Sequence, residues 1–173
     1  MNKTSTTSNT ATWLWAADPR PGGGVTHVRW ETELAAPLDR AFAFFSDAAN
    51  LERLTPPWVR FRIRTPLPVV MRVGVEIDYR ISIRGLPIPW RSRIDVWEPG
   101  VRFVDRQVIG PYRWWRHEHR FEASGLATRV IDEVAFVPRA RWVSGGMVRR
   151  DVERIFAYRQ QALAREFATT GAA

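Results

Sequence analysis

Hydrophobic and polar residues alternate along most of the chain between residues 25 and 137. Side chains on a strand point to opposite faces in turn, so this alternation predicts strands with one buried face. The predicted strands cover residues 25–35, 58–64, 75–84, 88–98 and 128–137, together with a hairpin between residues 103 and 124. Short turns join successive strands, which predicts an antiparallel sheet.

Three segments follow a helical pattern instead. Pro37 opens a short helix that runs to about Ser46, and a second short helix covers residues 48–54 before Pro56 and Pro57 end it. From about residue 149 to 167, apolar residues recur at helical spacing, which predicts one long amphipathic helix. The sheet is the only surface large enough to bury its apolar stripe. The order of elements therefore predicts an α+β fold.

The composition changes along the chain and suggests its organisation. Residues 1–24 are polar and end in a Pro- and Gly-rich stretch, which predicts a flexible arm. Residues 25–168 form the predicted domain, and residues 169–173 form a short tail. Trp13 and Trp15 interrupt the polar arm and offer an apolar contact for the domain or for a partner.

The hairpin around Gly110 and Pro111 has the most informative face. Alternation places large aromatic rings and ionisable groups together on one side: Phe103, Asp105, Gln107, Trp115, His117, His119 and Phe121. A core face would be uniformly apolar, and a solvent face would not carry aromatic rings between histidines. The mixture is typical of a pocket wall, which is apolar with a few converging polar groups.

Charge and residue usage exclude several classes of function. The formal net charge is +8, but all except one of the 26 basic residues are arginines scattered along the chain, which argues against a nucleic-acid interface. The chain has no cysteine, so thiolate nucleophiles and cysteine metal sites are excluded. No signal peptide or membrane span is predicted, and we expect a cytoplasmic protein.

Several segments of the chain carry a resemblance to a known family. They are 44–51, 54–58, 85–90, 103–107, 110–112, 115–121 and 149–159. With these segments the chain resembles the START-like superfamily, also called SRPBCC, and within it bacterial proteins of the polyketide cyclase/dehydrase type. The resemblance implies a helix-grip fold, in which a curved antiparallel sheet wraps the C-terminal helix and leaves an apolar cavity. It also implies binding of lipids, polyketides or isoprenoid-like molecules, with cyclisation or dehydration in a minority of members.

The predicted strand register brings possible acid–base chemistry to this wall. A turn centred near Pro111 places Asp105 opposite His117, and a tight turn at Ser124 and Gly125 places His117 beside Asp132. A carboxylate fixes an imidazole tautomer, so His117 with Asp105 or Asp132 is a candidate acid–base pair. The alternative is that these groups only satisfy one another and hold the sheet in register.

A metal site is the other possibility at the same place. His117, His119 and Asp105 share a face, but the chain offers no further imidazole or thiolate nearby, so we expect neither a metal nor a cofactor.

Three hypotheses for the function remain open at this point. The first is a binding protein for a small hydrophobic molecule, and the second is an aromatase/cyclase or dehydratase. The third is an interaction module that docks a partner through its basic face or through the arm with Trp13 and Trp15. The sequence leaves the oligomeric state open. The candidate ligand-binding residues are Trp58, Tyr79, Trp90, Phe103, Gln107, Trp115, His119, Phe121 and Phe156.

Overall fold

The computed structural model describes residues 24–139 and 145–168. The predicted arm and tail lie outside the described residues, apart from Gly24. The strands are β1 (Thr26–Leu34), β2 (Arg62–Ile63), β3 (Glu76–Ile83), β4 (Leu86–Glu98), β5 (Arg102–Ile109), β6 (Tyr112–Ser124) and β7 (Ala127–Pro138). The helices are α1 (Leu38–Ser46), α2 (Leu51–Leu54) and α3 (Gly145–Ala168), with 3₁₀ turns at Ala48–Asn50 and Pro57–Val59.

All seven strands form one antiparallel sheet in the order β1-β7-β6-β5-β4-β3-β2. Sequential strands from β2 to β7 are neighbours, while β1 joins the sheet beside the last strand, β7. The α+β prediction is confirmed. The β4–β5 ladder shifts register near Arg91 and again near Ile94. Such irregularities bend a strand and increase its twist.

The prediction of a strand over residues 58–64 is wrong for the first half of that segment. Pro57–Val59 forms a 3₁₀ turn, and only Arg62–Ile63 pairs as a strand. Proline has no N–H to donate to a ladder, so the Pro56-Pro57 pair cannot extend the strand backwards. Arg60 then adopts the left-handed conformation, with φ of 47°, which turns the chain before β2 begins.

Helix α3 packs its apolar stripe along the sheet. Near its C-terminal end, Leu163 and Phe167 are buried in a cluster with Phe42 and Phe45 of α1. Further toward its N-terminus, Phe156 stacks on Trp30 of β1 with ring centroids 3.9 Å apart. No helix in the described part of the chain combines the length and apolar character that a bilayer crossing requires.

We expect Thr128→Val to lower the free energy of unfolding by about 1–2 kcal/mol. Thr128 is fully buried on β7, and its hydroxyl donates to the Ala36 carbonyl at 2.8 Å. Valine has the same shape but leaves this carbonyl without its donor. Urea unfolding measures the change, and Thr26→Val at the partly exposed start of β1 is the matched control. Equal stability of the two variants would contradict the expectation.

Candidate functional site

A cavity of about 1040 Å³ lies between strands β3 to β6 and the N-terminal half of α3. Most of its wall is apolar, with Ile77 and Ile81 on the sheet side and Val152 and Ile155 on the helix side. Nine of the residues that the sequence predicted for the site line it: Trp58, Tyr79, Trp90, Phe103, Asp105, Trp115, His117, His119 and Phe156.

The remaining three predicted residues lie outside this wall. Phe121 is buried in the core, where its ring packs edge-on against Phe42. Gln107 sits beside the β5–β6 turn, where it donates to the Tyr112 carbonyl at 2.9 Å and accepts from the Tyr112 N–H at 3.2 Å. Asp132 is buried on β7 directly behind the histidines. Gln107 and Phe121 therefore do not face the cavity.

Asp132 contacts both histidines through one carboxylate oxygen. Its Oδ1 lies 3.1 Å from Nε2 of His117 in a hydrogen bond. The same oxygen lies 2.6 Å from Nδ1 of His119, but outside the angle that a hydrogen bond needs, so this nitrogen has no hydrogen-bond partner among the described residues. The two imidazole rings lie 3.8 Å apart, centroid to centroid. Their opposite nitrogens are therefore left on the cavity side.

Asp105 faces these nitrogens from the neighbouring strand β5. Its Oδ1 lies 3.7 Å from Nδ1 of His117 and 3.9 Å from Nε2 of His119. Its Oδ2 accepts from the Ser92 hydroxyl at 3.3 Å. The Ser92 oxygen is in turn 3.1 Å from the indole N–H of Trp90 and 3.0 Å from the Tyr79 hydroxyl. A chain of hydrogen bonds thus runs from Tyr79 through Ser92 to Asp105, whose other oxygen lies near both histidines.

One arginine of α3 completes the cluster. Nε of Arg159 lies 4.0 Å from Oδ2 of Asp132, and the side chain is only 12% exposed. Its guanidinium also lies over the rings of Phe45 and Phe156, at 5.3 and 5.7 Å from their centroids. Arg159 therefore brings a positive charge from the helix to the carboxylate behind the histidines.

Burial and these neighbours set the protonation of the cluster. Burial, reinforced by the adjacent His117 imidazole, lowers the pKa of His119 to about 3, so this ring is neutral near pH 7. Burial raises the pKa of Asp105 above its ordinary range, although His117 opposes this. Burial alone would raise the pKa of Asp132, but Arg159, His119 and His117 hold it well below the ordinary value. Asp132 is therefore the firmly ionised carboxylate of the pair.

The predicted registers had different outcomes. Asp105 does lie opposite His117, as predicted from the turn near Pro111. The prediction that His117 lies opposite Asp132 is wrong, because His119 occupies that position and His117 pairs with Val134. The β6–β7 turn consists of Gly125, with φ of +62°, and Leu126, so its centre is one residue later than predicted. That shift moves every cross-strand partner by two, which keeps the same face, so Asp132 still meets both histidines.

Two residues of the cluster, Ser92 and Arg159, were not predicted from the sequence. Ser92 follows Trp90 by two positions on β4, so strand alternation places it on the same face. Arg159 follows Ile155 by four and Phe156 by three, which is the spacing of the buried stripe of α3. Both signals were present, but a serine and an arginine on apolar faces are individually too common to single out.

Trp58 forms part of the cavity rim. It is half exposed, and its ring packs edge-on against Tyr158 of α3 at 5.7 Å. The guanidinium of Arg154 lies 5.6 Å from the centroid of the same ring. The 3₁₀ turn and the helix therefore meet through Trp58 at the edge of the cavity.

A family model described as a domain of unknown function, DUF8410, matches residues 86–167, which run from β4 to the end of α3. No curated protein matches the chain significantly. The solved structures give a clearer result.

Among solved structures, the Zhui aromatase/cyclase from Streptomyces sp. R1128 is 21% identical, with a TM-score of 0.69 over 87% of this chain and 98% of that one. Ara h 8.0201 is 14% identical, with a TM-score of 0.63 over 85% and 100% of the two chains. The di-domain ARO/CYC StfQ from the steffimycin biosynthetic pathway is 15% identical, with a TM-score of 0.62 over 86% of this chain and 52% of that one. The chain therefore has the START-like helix-grip fold of the polyketide cyclase type, as the resemblance implied.

Proposed function

We propose that the protein binds a small hydrophobic molecule, such as a lipid, a polyketide or an isoprenoid-like compound, in the cavity between the sheet and α3. The observation that carries this proposal is the cavity itself, whose volume of about 1040 Å³ lies at the upper end of the range for small-molecule sites. Most of its wall is apolar, with a compact buried polar cluster on the sheet side and a few charged residues elsewhere, among them Arg84, Arg139 and Asp151. A ligand with a long or multi-ring apolar body and one polar end fits this division.

The polar cluster orients the ligand in this proposal. His117 and His119 each turn one ring nitrogen toward the cavity, and Asp105 lies beside both. A carbonyl or hydroxyl group of the ligand would find both donors and acceptors here. The aromatic rings of Tyr79, Trp90 and Trp115 pack against one another on the adjoining wall and offer flat surfaces for a planar apolar body.

The first test is native mass spectrometry of the freshly purified protein, followed by solvent extraction. We expect a discrete apolar compound at near-stoichiometric occupancy, or its uptake from a panel of lipids and aromatic polyketides. A protein that carries nothing and takes up no member of the panel would overturn the proposal.

A pair of tryptophan substitutions on α3 tests the location of the site. Ile155 lines the cavity, and Ala157 is exposed on the same helix. We expect Ile155→Trp to weaken binding of the apolar dye anilinonaphthalene sulfonate roughly tenfold, which corresponds to about 1.4 kcal/mol. Ala157→Trp should leave the affinity unchanged. Equal affinities in a fluorescence titration would place the dye elsewhere.

A catalytic role is the second candidate, and the geometry of His117 favours it. Nε2 is held by Asp132 at 3.1 Å, which leaves Nδ1 on the cavity side to exchange a proton with a bound molecule. An aromatase/cyclase or dehydratase would use such a group. The variant His117→Ala separates the two candidates. If the protein is a carrier, the variant still binds the ligand and no reaction is lost. If the protein is an enzyme, the variant binds the ligand but no longer converts it.

A further inference from the structure

Three potential metal-ligand atoms face the cavity from two adjacent strands. Asp105 on β5 and His117 and His119 on β6 each offer one donor atom, and these atoms all lie within 4.8 Å of one another. The two imidazole nitrogens are 3.7 and 3.9 Å from Oδ1 of Asp105. Donors bound to one tetrahedral Zn²⁺ at about 2.0–2.1 Å are roughly 3.3 Å apart, so a small contraction would bring these atoms to ligand distance.

The residues behind the donors have the arrangement of an outer shell. Asp132 lies against the far nitrogen of each ring, Nε2 of His117 at 3.1 Å and Nδ1 of His119 at 2.6 Å. This directs the remaining nitrogens, Nδ1 of His117 and Nε2 of His119, toward Asp105. Metal-bound histidines usually donate their other ring N–H to a carboxylate, which fixes their tautomer and orientation, and His117 makes this hydrogen bond here. Ser92 orients Asp105 in a similar way. Its hydroxyl donates a hydrogen bond to Oδ2 and leaves Oδ1 available to a metal ion.

The charges of the cluster also favour a cation. In the described part of the chain, Asp105 has the two histidines within 4.0 Å but no arginine or lysine. Its side chain is 17% exposed and faces the cavity. Arg159 lies 4.0 Å from Asp132, and its charge compensates that carboxylate and, less directly, Asp105 as well. A divalent ion would compensate the buried charge of Asp105, since buried charges are ordinarily paired or bound to metal.

We propose that Asp105, His117 and His119 bind a divalent transition-metal ion of the Zn²⁺ class, with its remaining coordination position open to the cavity. From the sequence we expect no metal, because no further imidazole or thiolate lies near these three residues. Three protein ligands with one open position are the usual set of catalytic zinc sites, so the missing fourth ligand is no obstacle. Two imidazoles with one carboxylate suit zinc or ferrous iron far better than calcium or magnesium.

This site goes beyond the proposed function and does not depend on it. A metal on Nδ1 of His117 would occupy the nitrogen that the acid–base mechanism needs. Its open position would instead accept an oxygen atom of a bound ligand. Metal binding and proton exchange at His117 are therefore alternative uses of the same wall.

The test is a calorimetric titration of tag-free, full-length protein with ZnCl₂ after treatment with a chelator. We expect one Zn²⁺ per chain with a dissociation constant in the micromolar range or below. Asp105→Asn keeps the shape of the side chain but removes its charge, and it should weaken binding at least tenfold. His119→Gln is the second ligand variant and should do the same. His27→Ala removes the exposed histidine of β1 and should leave affinity unchanged.

Two further measurements make each outcome decisive. Absorption during a CoCl₂ titration reports whether nitrogen and oxygen ligands bind the ion, and this signal should disappear in Asp105→Asn. Thermal unfolding of the metal-free variants shows whether they fold. A wild-type protein that takes up no zinc, or folded ligand variants that bind it as well as His27→Ala does, would overturn the proposal. Dye binding by the metal-free protein is measured in parallel, so a failed metal site is distinguished from a failed apolar cavity.

Discussion

Asp132→Ala is expected to lower the free energy of unfolding by about 3–5 kcal/mol. Asp132 is 3% exposed and lies within 4.0 Å of His117, His119 and Arg159. Its removal leaves a largely buried guanidinium without its counter-charge and the His117 ring without its acceptor. Breaking a buried ion pair by deleting one partner costs far more than the pair contributes, because the remaining charge stays in a poorly solvated place.

Urea unfolding of three variants checks this expectation. The double variant Asp132→Ala/Arg159→Met should recover part of the loss, because it also removes the uncompensated charge. Asp151→Ala is the matched control, since this exposed carboxylate pairs with Arg84 on the surface at 3.2 Å and should cost at most about 1 kcal/mol. A loss below about 1 kcal/mol for Asp132→Ala would mean that the cluster is not a structural centre of the sheet.

The metal-free protein is expected to lose about 2 kcal/mol of stability from His119 alone between pH 7 and pH 5. Its pKa is lowered to about 3 in the folded state, compared with an ordinary value of 6.5. Between these values the unfolded chain binds a proton that the folded chain does not. Stability therefore falls as the pH decreases from about 6.5 and rises again as the pH increases.

The comparison with a variant isolates this contribution. Asp105 acts with the opposite sign, because a carboxyl group whose pKa is raised by burial favours the folded state as the pH falls. Asp132, with its lowered pKa, loses its contribution only below about pH 4. The measurement is therefore the difference in pH slope between the wild type and His119→Asn in a chelator, with His27→Ala as the control. Identical slopes for the wild type and His119→Asn would contradict the prediction.

The alternation of hydrophobic and polar residues was sufficient to predict most strands of the sheet. Each long strand was predicted within a few residues, because one of its faces is buried and the pattern follows directly from that burial. The segment around Pro57 was the exception, since its apolar alternation was real but its prolines could not join a ladder. Turn chemistry overrode the periodicity there.

The sequence predicted which side chains of the candidate site share one face of the sheet, but not which of them contact one another. Strand parity placed Asp105, His117 and His119 on one side, and an error of one residue in the β6–β7 turn left that parity intact. The contact of one Asp132 oxygen with both histidines depends on the exact position of the turn and on the side-chain rotamers. Strand periodicity carries no information about either.

By itself the chain determined the class of fold, the strand faces and the residue types of the polar wall, because these follow from local periodicity and from turn residues. The tertiary structure alone decided that α3 brings Arg159 to Asp132, that Ser92 links Tyr79 to Asp105, and that Phe121 and Gln107 stay outside the cavity. Each of these facts depends on how a helix and strands far apart in sequence pack against one another. Packing of that kind is fixed by the whole core rather than by any segment within it.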